Sequence, residues 1–206
     1  MGNKFKLSKI EMETLANKDI SEYVWQMLKF NRSHITFPEV KSIVDGRILL
    51  NMEIEDVVFV YSIVSIWKKV ILANESVNNI SLFNIMCFIN DELTGIKSKS
   101  IKSTLDDCVK TDIEVISVIP CDTERAVELL IYCMINDVFP YHNGITALLT
   151  VNYIMVKNCC GLLLPPPEKR HIFRELSESC KDDNKDRLKE FIYNDCVFGV
   201  KGVYYG

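Results

Sequence analysis

The sequence predicts a mainly α-helical protein, a bundle of helices with one small β-hairpin flap. Apolar residues recur at helical spacing over most of the chain, whereas residues 95 to 120 are rich in β-branched side chains that partly alternate with polar ones. The scale is that of one globular domain spanning residues 1 to 206, with 48% apolar and 25% charged side chains.

The first 34 residues hold an arm helix. Ile10, Leu15, Ile20, Tyr23, Val24, Met27 and Leu28 fit one helical period over residues 8 to 30, which ends near Asn31. Thr36 stands two residues before Pro38, so it caps a short helix that stops at Gly46. Longer helices are predicted at about 53 to 73, on Val57, Val60, Ile63, Val64, Trp67 and Ile71, and at 78 to 93, on Ile80, Phe83, Ile85, Met86 and Ile89. Ile101, Val109, Ile113, Val115, Ile116, Val118 and Ile119 then mark the flap. Helical spacing returns from Thr123 to Ile135 with Asp122 as its cap, and again from Asn143 or Gly144 to Asn158, with Gly161 past the end. Two short helices at about 168 to 180 and 184 to 195 make up the C-terminal part, residues 165 to 206.

Several classes of function are excluded at this level. With 24 basic against 28 acidic residues the net charge is -4, so no basic face attracts nucleic acid. The opening MGNKFKLSKIEM has no apolar run for a secretory signal, and Lys6 stands where a myristoylation motif has Ser or Thr; a cytoplasmic location is expected. Residues 144 to 164 are the most apolar stretch, but Asn152, Lys157 and Asn158 interrupt them, as suits a core helix rather than a membrane span. Eight cysteines without CxxC spacing read as buried free thiols. Three histidines, His34, His142 and His171, without an HExxH pattern predict no protein-held metal site, and there is no P-loop, GxGxxG or GxSxG.

Residues 136 to 146, NDVFPYHNGIT, form a turn-rich loop that feeds into a helix N-terminus. The first amides of a helix are unpaired and the macrodipole adds about half a positive charge there, so the backbone of Asn143, Gly144, Ile145 and Thr146 is a candidate anion or nucleotide site. The plainer alternative is a helix connection with Asn143 as its N-cap.

This loop resembles the signature of the Fic/Doc family, His-x-Phe-x-(Asp/Glu)-Gly-Asn-(Gly/Lys)-Arg, with Phe139, Asn143, Gly144, Thr146 and Ala147 in register. Residues 35 to 46 and the Trp67 helix resemble the family's opening region. GLLLPP and LKEFIYNDCVFGV resemble the tail of its small bacterial members, so the likeness spans most of the chain. The resemblance implies a helical bundle with a flap hairpin, transfer of AMP from ATP with Mg²⁺ to a target protein's hydroxyl, and target capture by strand addition at the flap, about 95 to 120.

Asp137 stands at the family's general-base histidine, Tyr141 at the acidic Mg²⁺ ligand, His142 at the first glycine and Ile145 at the phosphate-clamping arginine. The candidate catalytic residues are therefore Asp137 and His142. A positioned base is worth roughly 10² to 10⁴ in rate, and a carboxylate of ordinary pKa near 4 replaces it poorly. His142 brings an imidazole that can act as a displaced base. Their plain readings are a polar helix end for Asp137 and an exposed loop residue for His142. The family's inhibitory motif is not evident; Lys41 stands where its hydroxyl would precede Asp45 and Gly46.

Three functions fit. The first is a Fic-like protein with a degenerate loop that acts by binding, regulating an active relative or occupying a target through its flap. The second is an active AMP transferase with a non-standard motif, using ATP and Mg²⁺ to modify protein hydroxyls, as a toxin does. The third is a helical interaction module. The partners expected are a target protein at the flap and a second copy of the chain or another Fic protein, with no nucleic acid and no membrane; no cofactor is required unless the enzyme is active.

Overall fold

The computed structural model describes residues 1–31, 33–47, 52–72, 80–95, 107–179 and 185–200. The chain is predominantly helical with a small two-stranded antiparallel sheet.

Helix α1 (Lys9–Lys18) starts at Ser8 in a capping box: Ser8 Oγ accepts the Glu11 N–H, and the Glu11 carboxylate accepts the Ser8 N–H at 2.8 Å. The single arm helix expected over residues 8 to 30 is broken at Asp19 (φ -135°, ψ 51°), and α2 (Ile20–Phe30) follows at once. Distant side chains take the last carbonyls of α1: Tyr23 Oη donates to Leu15 at 2.8 Å and Trp67 Nε1 to Ala16 at 3.0 Å. Helix α3 (Phe37–Val44) has the expected Thr36 cap, which Glu39 completes as a capping box, and its chain turns away at Gly46 with φ 75°.

Helix α4 (Ile54–Ile66) runs on as a π-helical turn, Trp67–Leu72, that holds the fully buried Trp67 against Tyr23 with ring centroids 5.5 Å apart. Helix α5 (Leu82–Thr94) is capped by Ser81 and ends at Gly95 with φ 67°.

The expected flap is overturned where it can be seen. Residues 107 to 117 form α6 (Asp107–Ser117), while residues 96 to 106, with Ile101, lie outside the described part. Helical period decides the matter over β-propensity. Val109, Ile113 and Ile116, spaced four and three apart, make one face whose centre, Ile113, is fully buried, and Val115 and Val118 are left in solvent.

Helix α7 (Asp122–Asn136) is not capped by Asp122, which is its first residue and pairs with Arg125 at 3.1 Å. The cap comes from across the chain, where Asn3 Oδ1 accepts the Thr123 N–H at 3.0 Å. Helix α8 (Asn143–Lys157) is the centre of the bundle and touches α2, α5 and α7, with every residue from Ile145 to Met155 buried. Such a helix has no solvent face; it is apolar apart from Thr146, Thr150 and Asn152, and each fully buried Leu or Ile contributes about 1.5–3 kcal/mol.

The small β element lies elsewhere than the expected hairpin. Strands β1 (Leu162–Leu163) and β2 (Val197–Phe198) pair Leu162 with Phe198 and Leu163 with Val197. On the other side of β1, Asn152 of α8 takes the place of a third strand. Its Oδ1 accepts the Leu163 N–H at 2.9 Å, and its Nδ2 donates to the Leu163 carbonyl at 2.8 Å. Gly161 leads into β1 with φ 88°, and a Cβ there would lie 2.4 Å from the Phe198 carbonyl oxygen. Helices α9 (Arg170–Ser179) and α10 (Lys185–Phe191) follow, with a π turn at Ile192–Cys196. Lys4 reaches this region, and its Nζ donates to the carbonyls of Tyr193, Asn194 and Val197 at 2.7, 2.7 and 2.9 Å.

The described cysteines are free thiols, and burial pushes the Cys133 and Cys160 thiols up to about 12. No helix among the described residues is long and apolar enough to cross a membrane.

Candidate functional site

The α7–α8 loop is held by one side chain. Asn143 Oδ1 accepts the Phe139 N–H at 3.1 Å, and its Nδ2 donates to the Cys133 carbonyl at 2.7 Å. Asn143 thus joins the open end of α7 to the first turn of α8. The chain turns through two left-handed residues, Asp137 (φ 44°) and His142 (φ 54°), while Val138 and Phe139 enter the core. His142, not Asn143, stands at the N-cap position and makes no capping bond with its side chain.

Gly144 packs closely on α2: a Cβ there would lie 3.3 Å from Phe30 Cε1, so the ring would have to give by a few tenths of an ångström. Phe30 in turn meets Phe173 of α9 edge-on, ring centroids 4.9 Å apart. On the opposite side Asn90 of α5, fully buried, donates from Nδ2 to the Tyr141 carbonyl and to Thr146 Oγ1, both at 2.9 Å.

Between this loop and α9 lies a cleft of about 780 Å³. Its walls bring Asp137, His142, Asn143 and Gly144 together with Arg170 and Arg174. Ile145 and Thr146 are not among the lining residues: both side chains are fully buried, and the Thr146 N–H is already given to the His142 carbonyl at 2.9 Å. The amide site expected over residues 143 to 146 is therefore reduced to the amides ahead of that first helical bond.

The sequence reading missed the two arginines. Residues 170, 173, 174, 177 and 178 share one side of α9 and all line the cleft; the helical spacing in RHIFRELSES was the available signal. Arg170 Nη1 donates to the Lys29 carbonyl at 2.6 Å and Arg174 Nε to Glu178 at 2.7 Å. A guanidinium has five N–H donors, so each keeps others for an anion.

His142 is half-buried rather than exposed, and its ring stacks on Phe59 of α4 with centroids 4.3 Å apart. Burial pulls its pKa below the ordinary histidine value, which keeps the imidazole neutral at pH 7. Because the folded pKa lies below the unfolded one, the unfolded chain binds the proton more tightly. Stability from this group is complete above the unfolded pKa of about 6.5 and is lost as pH falls through the folded value. Urea unfolding at several pH values should therefore show the unmodified chain losing stability relative to His142→Gln below about pH 6.5, with a constant difference above it.

The residues do not fit a magnesium triphosphate held in the Fic manner. Tyr141, at the metal-ligand position, is a phenol 60% exposed, and Ile145, at the arginine position, lies in the core. No protein family model, curated protein or solved structure matches the chain.

Proposed function

We propose that this chain is a Fic-like protein of the cytoplasm that has lost AMP transfer and works by binding. The observation that carries the reading is the loop itself: Asn143 and Gly144 keep a backbone shape suited to an anion, while the side chains that would activate a nucleotide are gone. A helix-to-helix loop opening onto a cleft, ahead of a buried helix, supports the Fic resemblance, and Asp137, Tyr141 and Ile145 supply no base, metal ligand or phosphate clamp. Losing groups that position and neutralise a transferring phosphoryl removes most of its catalysis. Arg170 and Arg174, beside Phe30 and Phe173, suit an anionic group with an apolar body. The partner is then a protein whose acidic or phosphate-bearing side chain enters this cleft, an active relative included.

Incubation with labelled ATP, Mg²⁺ and a lysate should give no labelling of the chain or of other proteins. Two lost charge-assisted contacts, each worth about 1.5–3 kcal/mol, move a micromolar nucleotide site toward millimolar. Thermal stabilisation by ATP at a concentration near that Kd should then stay near 0.4 kcal/mol. Micromolar affinity by calorimetry would contradict the reading.

One observation favours the active alternative: His142 lines the cleft and is kept neutral, as a general base must be. Labelling that disappears with His142→Ala would establish that alternative. Restoring an arginine by Ile145→Arg is no clean test, because the guanidinium would enter the core at a fully buried site.

A further inference from the structure

Helix α4 breaks the rule that a helix apolar on all sides is buried. Its inner residues Val60, Ile63, Val64 and Ile66 are in the core, but Ile54, Val58 and Tyr61 are 76%, 57% and 65% exposed. Four and three residues apart, these three form one stripe, which half-buried Ser65 extends by a further turn. Such spacing is the seam of a two-helix pairing.

The charges beside the stripe identify what covers it. Glu53 and Glu55 are exposed at its N-terminal end, and Lys68 and Lys69 at its C-terminal end. None of the four has an ion-pair partner among the described residues. Glu55 and Ser62 lie seven residues apart along one edge of the seam, and Lys69 follows beyond the end of α4 in the π turn.

We propose that two copies of this chain pair through this face, α4 against α4 and antiparallel, about a two-fold axis near Ser62. Reversing one helix about that residue sets Glu55 against Lys69 of the partner subunit and, by symmetry, Lys69 against Glu55 of the partner subunit. A parallel arrangement would set each acidic end against its own copy, and like charges oppose such an encounter. The antiparallel one also opposes the two helix dipoles. Ser62 and Ser65 are small enough for the backbones to approach near the axis, with Val58 and Tyr61 filling the seam on either side. The pairing is independent of the nucleotide question, since the stripe contains none of the residues that line the cleft.

Sedimentation equilibrium of the purified full chain should give twice the mass of one chain. Val58→Glu should return it to a single chain with unchanged helical circular dichroism, because Val58 already faces solvent in one copy. Lys69→Glu should raise the dissociation constant about tenfold, replacing two attractive pairs by two repulsive ones, and combining it with Glu55→Lys should restore pairing. A single mass at every attainable concentration overturns the proposal and leaves the face to a partner of another sequence. A dimer that neither Val58→Glu nor Lys69→Glu weakens overturns it by placing the contact elsewhere, and a double exchange that fails to restore pairing overturns the antiparallel arrangement.

Discussion

Gly161→Ala should unfold the chain at much lower urea than the unmodified protein requires, with a loss of about 3–5 kcal/mol. Two effects add. The residue holds φ 88°, where a side chain is strained, and the new Cβ would stand 2.4 Å from the Phe198 carbonyl oxygen. That oxygen belongs to the backbone of β2, so relief requires the two strands to part, and with them the Leu162–Phe198 pairing. Gly199→Ala is the contrast. Its Cβ would lie 2.6 Å from Phe5 Cδ1 and 2.9 Å from Cε1 and Cγ, so the half-buried ring must move as a whole, but no backbone has to part. Natural domains have only about 5–15 kcal/mol in total, so the first substitution removes a large share and the second a smaller one.

Asn152→Leu should cost about 2–5 kcal/mol although it makes the core more apolar. Leucine has the same branched shape but is bulkier, so some overpacking adds to the main loss, the orphaned N–H and carbonyl of Leu163, both buried and satisfied by the Asn152 amide in the unmodified chain. Calorimetric unfolding should show a lowered midpoint with no change in the transition's two-state character. A neutral result would mean that β1 shifts to find other partners.

The extent of α8 was legible in the sequence because a largely apolar stretch gives way to Lys157 and Asn158, with a glycine shortly beyond, and local chemistry suffices for that. The same holds for the α3 start, where Thr36, Pro38 and Glu39 lie within one turn. What failed depended on distant parts of the chain. Asp122 looked like the cap of α7, yet the bond to Thr123 comes from Asn3, which no local window contains. The arm helix broke at Asp19 because Tyr23 and Trp67 reach back to Leu15 and Ala16. Val109, Ile113 and Ile116 carried two signals at once, β-branching and helical spacing, and burial against the bundle selected the second.

The site divides in the same way. Asp137, His142, Asn143 and Gly144 were legible as a loop because they are consecutive and end in a helix. Ile145 and Thr146 turn inward because α8 is surrounded by other elements, and Asn90 of α5 bonds Thr146 there, which no local window shows. Arg170 and Arg174 reach the cleft only through the packing of α9 on Phe30.

Lys4 also bears on the order in which the molecule can form. Its three carbonyl partners lie 189 to 193 positions away, so the cradle that receives it does not exist until the π turn at Ile192–Cys196 and β2 have formed. Closing a loop of that length costs more entropy than any helix pairing in the bundle, and such contacts form late in folding. Lys4 is thus placed late, after the elements that carry its partners have formed, and the neighbouring bond from Thr123 to Asn3 is long-range as well. The ammonium of Lys4 acts as a clasp that fastens only when the bundle beneath it is complete.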